Sequence, residues 1–132
     1  SVMAHAPRRL VVRHAWVAAE LAMAGGDGAT AVRHAEAAVE LAAATDSARH
    51  RTKSQVVLAA ALCSAGDVDR ARAEGEGALQ LTGEFGLLPL RWAVASLLVN
   101  LGDTTVPIAE LRGIRDECAS RVRRWGGAWR QL

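Results

Sequence analysis

Two stretches of this chain repeat one another at a spacing of 40 residues. Gly26-Asp27 and Gly66-Asp67 open similar segments, and Gly102-Asp103 repeats the pair 36 residues later. Glycine ends a helix readily because it adopts left-handed backbone geometry, and aspartate then caps the next helix by accepting its free amide hydrogens. Repeats of this length are typical of stacked structural units, because one unit alone cannot bury its apolar face.

The composition favours an all-α fold. Apolar residues make up 51% of the chain, and only five residues are aromatic, four Trp and one Phe. Chains rich in alanine and leucine suit helix–helix packing, whereas strand-rich chains carry more β-branched and aromatic side chains. With 132 residues the chain has the size of one domain with a modest core, so we predict a single domain over residues 1–132.

Apolar periodicity predicts six helices. In the first, Val12, Trp16 and Ala19 recur at steps of three and four residues. Thr82-Gly83 and Gly126-Gly127 are predicted to lie outside the helices, because glycine interrupts the pattern at both places. The predicted helices cover about residues 10–24, 29–44, 48–65, 67–81, 88–101 and 106–125.

Short turns pair these helices into three helix–turn–helix hairpins. The hairpins span about residues 10–45, 48–83 and 87–125, and a tail follows over 126–132. Alanines on the facing sides allow the two backbones of each hairpin to approach closely. We therefore predict a right-handed solenoid of three stacked hairpins with an atypical capping helix at the C-terminus.

This pattern resembles the tetratricopeptide repeat (TPR), a 34-residue helix–turn–helix. In the clearest unit, 52–85, five residues match the large and small positions of the family: Leu58, Ala59, Leu62, Ala71 and Ala78. The family's tryptophan, second-helix aromatic residue and terminal proline are replaced here by Gln55, Gly75 and Gly83. The outer units keep fewer matches, which are Ala19, Ala31, Ala38, Ala95 and Leu98.

The resemblance implies a non-catalytic scaffold that binds a peptide or a partner helix in a concave groove. Carried over position by position, the groove candidates are Arg13, Trp16, Glu20, Lys53, Val56, Trp92, Ser96 and Asn100. Trp16 and Trp92 fall on equivalent positions of the outer units, and tryptophan often dominates the energy of a binding interface. A tryptophan in an alanine-rich chain also serves to fill a core, so groove and core both stay open for this pair. The sequence does not identify the partner.

The end of the chain is basic and bears tryptophan. This basic patch consists of Arg121, Arg123, Arg124 and Trp129. Such residues suit acidic protein surfaces or stacked nucleic-acid bases, whereas a terminal repeat helix must also cover the core. Two alternatives therefore stay open: a homo-oligomerisation module such as a homodimer, and a domain associated with nucleic acid or a regulator through this patch. Nucleic acid is not the expected partner, since the net charge is only +2.

No motif in the chain predicts catalysis, a metal site or a cofactor. The four histidines form no two-ligand helical motif, and neither a nucleophile elbow nor a nucleotide fingerprint is present. Capping accounts for the aspartates at predicted helix starts, which are Asp27, Asp67, Asp69 and Asp103. Cys63 and Cys118 lack metal-like spacing and are expected to be buried free thiols, which fits a cytoplasmic protein. No apolar run approaches the ~18–20 residues of a membrane span, so no membrane association is expected.

Overall fold

The protein is all-helical over the residues that its computed structural model describes, namely the backbone of 7–130 and the side chains of 7–125. Within that span there are six helices and no strand, which confirms the all-α class that the composition predicts. The helices are α1 (Arg8–Ala24), α2 (Gly28–Ala43), α3 (Ala48–Ser64), α4 (Val68–Glu84), α5 (Leu88–Leu101) and α6 (Ile108–Arg130). None of the described helices is both long enough and apolar enough to cross a membrane.

The helices fall into two compact units. The first unit extends to Glu74 and contains α1, α2, α3 and the start of α4, while the second begins at Gly75 and contains the rest of α4 with α5 and α6. In the first unit α1 packs on α2, and α3 packs on both. In the second unit α5 packs on α6. The prediction of one domain built from three repeat units stays a prediction.

Left-handed glycines follow α1, α3, α4 and α5, as the turn chemistry of the sequence predicts. Their φ angles lie between 63° and 84°, at Gly26, Gly66, Gly86 and Gly102. Aspartate caps the helix that follows the first two of the Gly-Asp pairs. The Oδ1 atom of Asp27 accepts the amide hydrogen of Thr30 at 3.1 Å, and that of Asp67 accepts the amide hydrogen of Arg70 at 3.4 Å.

The third Gly-Asp pair has a different structure. α6 begins at Ile108, five positions after Asp103, and Asp103 itself adopts a left-handed φ of 51°. The prediction that Asp103 caps the next helix is therefore wrong. Proline disfavours helical geometry in the residue before it, so Pro107 delays the helix start. The carbonyl of Pro107 then accepts a hydrogen bond of the first turn, from the amide of Leu111 at 3.1 Å.

Two predicted breaks lie inside helices. α4 continues through Thr82-Gly83, and the backbone of α6 continues through Gly126-Gly127. Glycine costs a helix only about 1 kcal/mol relative to alanine, which packing can offset. At Gly83 the packing is visible: Nη1 of Arg91 donates to the carbonyl of Leu79 at 2.6 Å, and a Cβ on Gly83 would lie 2.6 Å from the same Nη1 atom.

Small residues let the helices approach closely. A Cβ atom added to Gly28 of α2 would lie 2.6 Å from the Cα atom of Ala65, just after the end of α3. The alanines that match small positions of the TPR pattern are all 0% exposed: Ala19, Ala31, Ala38, Ala59, Ala71, Ala78 and Ala95. Leucines fill the remaining space, and the largest fully buried ones are Leu62, Leu98 and Leu111.

Candidate functional site

Trp16 of α1 lies in the core of the first unit and is only 7% exposed. Its Nε1 atom donates to Oγ of Ser54 at 2.8 Å, and the Ser54 hydroxyl donates to the carbonyl of His50, one turn earlier in α3, at 2.8 Å. The rings of Trp16 and His50 stack with their centroids 5.1 Å apart. α3 therefore covers the indole and satisfies its N–H group, which a buried tryptophan requires.

Two charged groove candidates lie beside this covered indole. Nζ of Lys53 is 5.3 Å from the centroid of the Trp16 ring and 3.7 Å from Oε1 of Glu20. The side chains of Lys53 and Glu20 are 28% and 52% exposed, and an ion pair at such exposure contributes roughly 0.2–1 kcal/mol. Lys53 and Glu20 are thus engaged with each other across α1 and α3, and each is only partly open to a ligand.

His50 is 4% exposed and faces cations rather than a counter-charge. Its Nδ1 atom lies 2.7 Å from Oγ of Ser47, while its Nε2 atom has no hydrogen-bond partner among the described residues. Burial lowers the pKa of this histidine, and three positive charges lower it further: Arg13, Arg9 and Arg49. The exposed groove candidate Arg13 therefore acts on the interior of the unit through its charge.

The predicted groove residues of the first unit differ in their solvent exposure. Val56 is buried at 9% exposure, like Trp16, whereas Arg13 and Glu20 are exposed and Lys53 is partly buried. Of the two positions left open for Trp16, groove or core, the core is the one that the structure shows.

Trp92 of α5 has the opposite surroundings, since it is 45% exposed. It lines a cleft of about 340 Å³, together with Pro89 from α5 and Ala119, Val122 and Arg123 from α6. We call this the Trp92 cleft. The sequence predicted Trp92 and Arg123 as site residues, but it did not predict Ala119 or Val122. Their spacing of three residues is that of any apolar helix stripe, so the sequence carries no signal that sets them apart.

α1 and α5 carry a tryptophan, a following alanine and a preceding aliphatic residue in the same register. Trp16 and Trp92 each lie ten positions before a Gly-Asp pair. In both helices the alanine three positions after the tryptophan is 0% exposed, and the aliphatic residue four positions before it is at most 6% exposed. These buried residues are Val12 and Ala19 in α1, and Leu88 and Ala95 in α5. The two helices bury the same face and differ at the tryptophan.

The neighbouring helices α2 and α6 extend the comparison. Each has two buried residues seven positions apart: Ala31 and Ala38 in α2, and, 80 positions later, Leu111 and Cys118 in α6. Ala42 of α2 is 0% exposed, but its counterpart Val122 is only partly buried and lines the Trp92 cleft. α3 packs on α1 and α2, whereas no helix follows α6 among the described residues. Trp92 and Val122 of the cleft therefore hold the register positions of Trp16 and Ala42, which are buried in the first unit.

The two remaining candidates on α5 are polar. Ser96 lies one helical turn after Trp92, and its Oγ atom is buried without a hydrogen-bond partner among the described residues. Asn100 is exposed at the last turn of α5. Neither residue lines the Trp92 cleft.

The basic patch is exposed as far as it is described, at Arg121, Arg123 and Arg124. The side chain of Trp129 lies outside the described residues. Glu117 is the last acidic residue of the sequence, and four arginines follow it. Arg123 connects the patch to the candidate site, because it lines the cleft beside Trp92.

The other chemically capable groups are separate from this cleft. Cys118 is buried as expected, and burial raises the pKa of its thiol, which keeps the thiol protonated and weakly nucleophilic. Cys63 is also a free thiol, but it is partly exposed rather than buried. No group of three histidine, cysteine or acidic side chains among the described residues is arranged to hold a metal ion.

A larger cleft of about 530 Å³ lies between the start of α1 and the residues after α2. Its polar groups already bond one another: Arg9 pairs with Asp46 at 3.2 Å, and Nη1 of Arg8 donates to the carbonyl of Ala44 at 2.9 Å. Since no aromatic residue lines it, the Trp92 cleft is the stronger candidate for binding.

No protein-family model, no curated protein and no solved structure matches the chain. Within the chain, the packing of α3 on α1 and α2 provides the counterpart to the uncovered surface of α5 and α6.

Proposed function

We propose that this chain is a non-catalytic, TPR-like interaction domain that binds a partner helix or peptide, with the Trp92 cleft as its main contact surface. One observation carries the proposal: equivalent tryptophans are 7% exposed in α1 and 45% exposed in α5. Solvent exposure of half an indole is unfavourable, and tryptophan is among the residues that contribute most to protein interfaces. The cleft has the character of a binding surface whose occupant is a separate helix.

The TPR-like arrangement is part of the proposal. Complete burial of seven alanines at small positions of the TPR pattern supports it, as does the packing of neighbouring helices in α1–α2 and α5–α6. In this arrangement three hairpins stack as a right-handed solenoid, and α6 is the atypical capping helix. The exposed residues Arg13, Glu20 and Asn100 belong to the wider concave groove.

The chemistry of the cleft supports binding rather than catalysis. Its lining offers an indole, three apolar side chains and one guanidinium. A nucleophile or an acid–base pair would need a hydroxyl, thiol, imidazole or carboxyl group there. We propose a cytoplasmic location, because two free thiols suit a reducing compartment.

A pull-down from extracts of the source cells tests the proposed surface with two matched variants. Trp92→Ala removes the cleft indole, while Trp125→Ala removes an indole that is 53% exposed on α6 and does not line the cleft. We expect a specific partner to bind the wild type and Trp125→Ala but not Trp92→Ala. Circular dichroism must show the same helical content in all three proteins.

Two results would contradict this assignment. Partners that Trp92→Ala retains in full would exclude the cleft as the main contact surface. Loss of the partner from Trp125→Ala alone would assign binding to the end of α6 instead.

A further inference from the structure

We infer that the occupant of the Trp92 cleft is an amphipathic partner helix with a small hydrogen-bonding residue opposite the indole and acidic residues in its first turn. This inference rests on the proposed function and specifies the chemistry of the partner. It follows from the way that α3 covers the equivalent tryptophan of the first unit, together with the reversed charge beside the cleft.

The contacts of α3 with Trp16 indicate which groups a helix needs in order to cover a tryptophan at this position. Ser54 supplies an oxygen that accepts the Nε1 hydrogen of Trp16 at 2.8 Å. The residue is small, which lets α3 lie close to the ring, and its own proton goes to a carbonyl of α3. An occupant that left the N–H group of Trp92 buried without an acceptor would lose about 1–3 kcal/mol of binding energy. We therefore expect serine, threonine or a comparable small acceptor at this position of the partner.

The charge beside the indole differs between the two units. In the first unit Glu20 lies beside the covered surface, and α3 provides Lys53, with 3.7 Å between the charged atoms. The residue of α5 in the register of Glu20 is the neutral Ser96. The charge that lines the second surface is instead the exposed Arg123. α3 carries a basic residue that pairs with Glu20, so a partner that lies beside Arg123 should carry an acidic residue instead.

No carboxylate among the described residues neutralises this arginine. The ion pairs of the second unit within the described part of the chain do not include Arg121, Arg123 or Arg124. The sequence contains no acidic residue after Glu117. The basic side of the cleft is therefore available to negative charge from outside the unit.

The position of Arg123 predicts which part of the partner is acidic. Arg123 is the register counterpart of Ala43, the last residue of α2. In the first unit the first turn of α3 reaches this end of α2, where Nη1 of Arg51 donates to the carbonyl of Thr45 at 2.8 Å. A helix docked in the same direction brings its first turn to Arg123. Carboxylates in that turn are favoured twice, by the guanidinium and by the positive end of the helix dipole.

A peptide derived from α3 provides the probe. The parent peptide has residues 47–64 with blocked ends, Cys63→Ser to prevent oxidation, and a fluorescent label; its acidic form carries Arg49→Glu and Arg51→Glu in addition. Binding to the intact protein is measured by fluorescence anisotropy at low ionic strength. We expect the acidic peptide to bind about three- to tenfold more tightly than the parent, from one or two exposed ion pairs.

Three protein variants separate the contributions to this preference. Arg123→Glu should reverse the order of the two peptides. Trp92→Ala should weaken binding of the acidic peptide by about tenfold or more, as the loss of a central tryptophan does. Trp125→Ala is the control and should leave both affinities unchanged, since this indole lies outside the cleft.

Several outcomes would overturn the inference. Equal binding of the two peptides, or a preference that survives Arg123→Glu, would exclude an acidic first turn, while the pull-down could still support the proposed function. Absence of binding by either peptide, or binding insensitive to Trp92→Ala, would exclude a helix of this type at the cleft. Failure of the pull-down variants as well would reject the proposed function itself.

Two other occupants give distinct results. A dimer that sedimentation detects in the wild type but not in Trp92→Ala would identify the occupant as a second copy of this chain. A single-stranded oligonucleotide that displaces the acidic peptide, with the steep salt dependence of counterion release, would identify it as nucleic acid. Either result would overturn an acidic helical partner.

Discussion

α1 and α5 carry equivalent tryptophans in different surroundings. Comparing them shows which properties of a residue depend on its own helix and which depend on the neighbouring helix. Both bury an aliphatic residue and an alanine around an equivalent tryptophan. α3 adds a hydroxyl and an imidazole over Trp16, whereas Trp92 keeps 45% of its surface in solvent. The period of the sequence decides which face of a repeat helix points inward. Whether a residue at the edge of that face is core or surface depends on the next helix.

We expect the two units to differ also in their response to acid. All four histidines lie within the first 50 residues of the chain, so the second unit has none. Its charged interior contact is instead Arg91, which bonds a backbone carbonyl. Histidine is the side chain that ordinarily titrates between pH 5 and 8, and burial lowers the pKa of His50. We therefore expect stability changes in that range to originate in the first unit.

The largest expected effect tests the difference between the two tryptophans. Trp16→Ala should lower the free energy of unfolding by about 3–5 kcal/mol, the range for large core residues. Trp92→Ala should cost no more than about 1 kcal/mol, because the indole is half exposed. Urea denaturation followed by circular dichroism measures both. Equal losses in the two variants would contradict the contrast.

A milder substitution covers the case in which Trp16→Ala does not fold. Trp16→Phe keeps most of the ring volume and removes the N–H donor to Ser54. We expect a loss of roughly 1 kcal/mol from the hydrogen bond, in addition to any change in packing. The same measurement applies.

The second prediction concerns the close approach that holds α3 in place. Gly28→Ala would put a Cβ 2.6 Å from the backbone of Ala65, so α2 and α3 must separate at a cost of about 1–3 kcal/mol. Urea denaturation followed by circular dichroism measures this loss. Gly113→Ala is the matched control, since a Cβ there meets nothing within 4 Å, and it should stabilise α6 by about 0.5–1 kcal/mol. If both variants were destabilised, the loss in Gly28→Ala would reflect the replacement of a helical glycine in general, and not the short distance between α2 and α3.

The third prediction is a loss of stability in mild acid. The pKa of His50 is lowered from its ordinary 6.5, mainly by burial, so below pH 6.5 the unfolded chain binds more protons than the folded chain. The contribution of His50 is therefore fully present above pH 6.5 and is lost as the pH falls towards the lowered pKa. Urea midpoints between pH 7.5 and 5 should show this decline. His50→Gln should flatten it, whereas His14→Gln, at an exposed position, should not.

The smallest expected effect concerns Lys53. Lys53→Met keeps the aliphatic stem and removes the charge that contacts Trp16 and Glu20, at a cost of about 0.5–1 kcal/mol. Lys53 lies 3.7 Å from Glu20 at a partly exposed site, so part of that cost should disappear at high salt. No measurable loss at either salt concentration would indicate that the stem, rather than the charge, stabilises α3 on α1.

Much of the fold could be predicted from sequence because its signals are local. The periodic apolar residues gave six helices, with most ends within two or three residues of those observed. The left-handed glycines and the caps at Asp27 and Asp67 also followed from residue type. Two predictions were wrong because other residues determine the local structure. Arg91 packs against the helix at Gly83, and Pro107 delays the helix start after Asp103. The type of residue at position 83 or 103 indicates neither effect.

The site was less predictable because it depends on contacts between helices. Trp16 and Trp92 have the same register and similar apolar neighbours along their helices. The sequence therefore could not show which of the two is buried and which is exposed. Ala119 and Val122 look like any core stripe until the structure shows that no described helix covers them. The sequence predicted Arg123 as part of the basic patch, but it did not predict its place beside Trp92.

The hydrogen bond between Trp16 and Ser54 also has a consequence during synthesis. Ser54 is made 38 residues after Trp16, which at about 5–20 residues per second takes roughly 2–8 seconds. α1 and α2 can pair in that interval, but the indole of Trp16 stays without cover until α3 leaves the ribosome. A nascent chain of which only the residues before 47 have left the ribosome should therefore expose Trp16 to chaperones in the way that the finished protein exposes Trp92. Emergence of the next 18 residues should end that exposure.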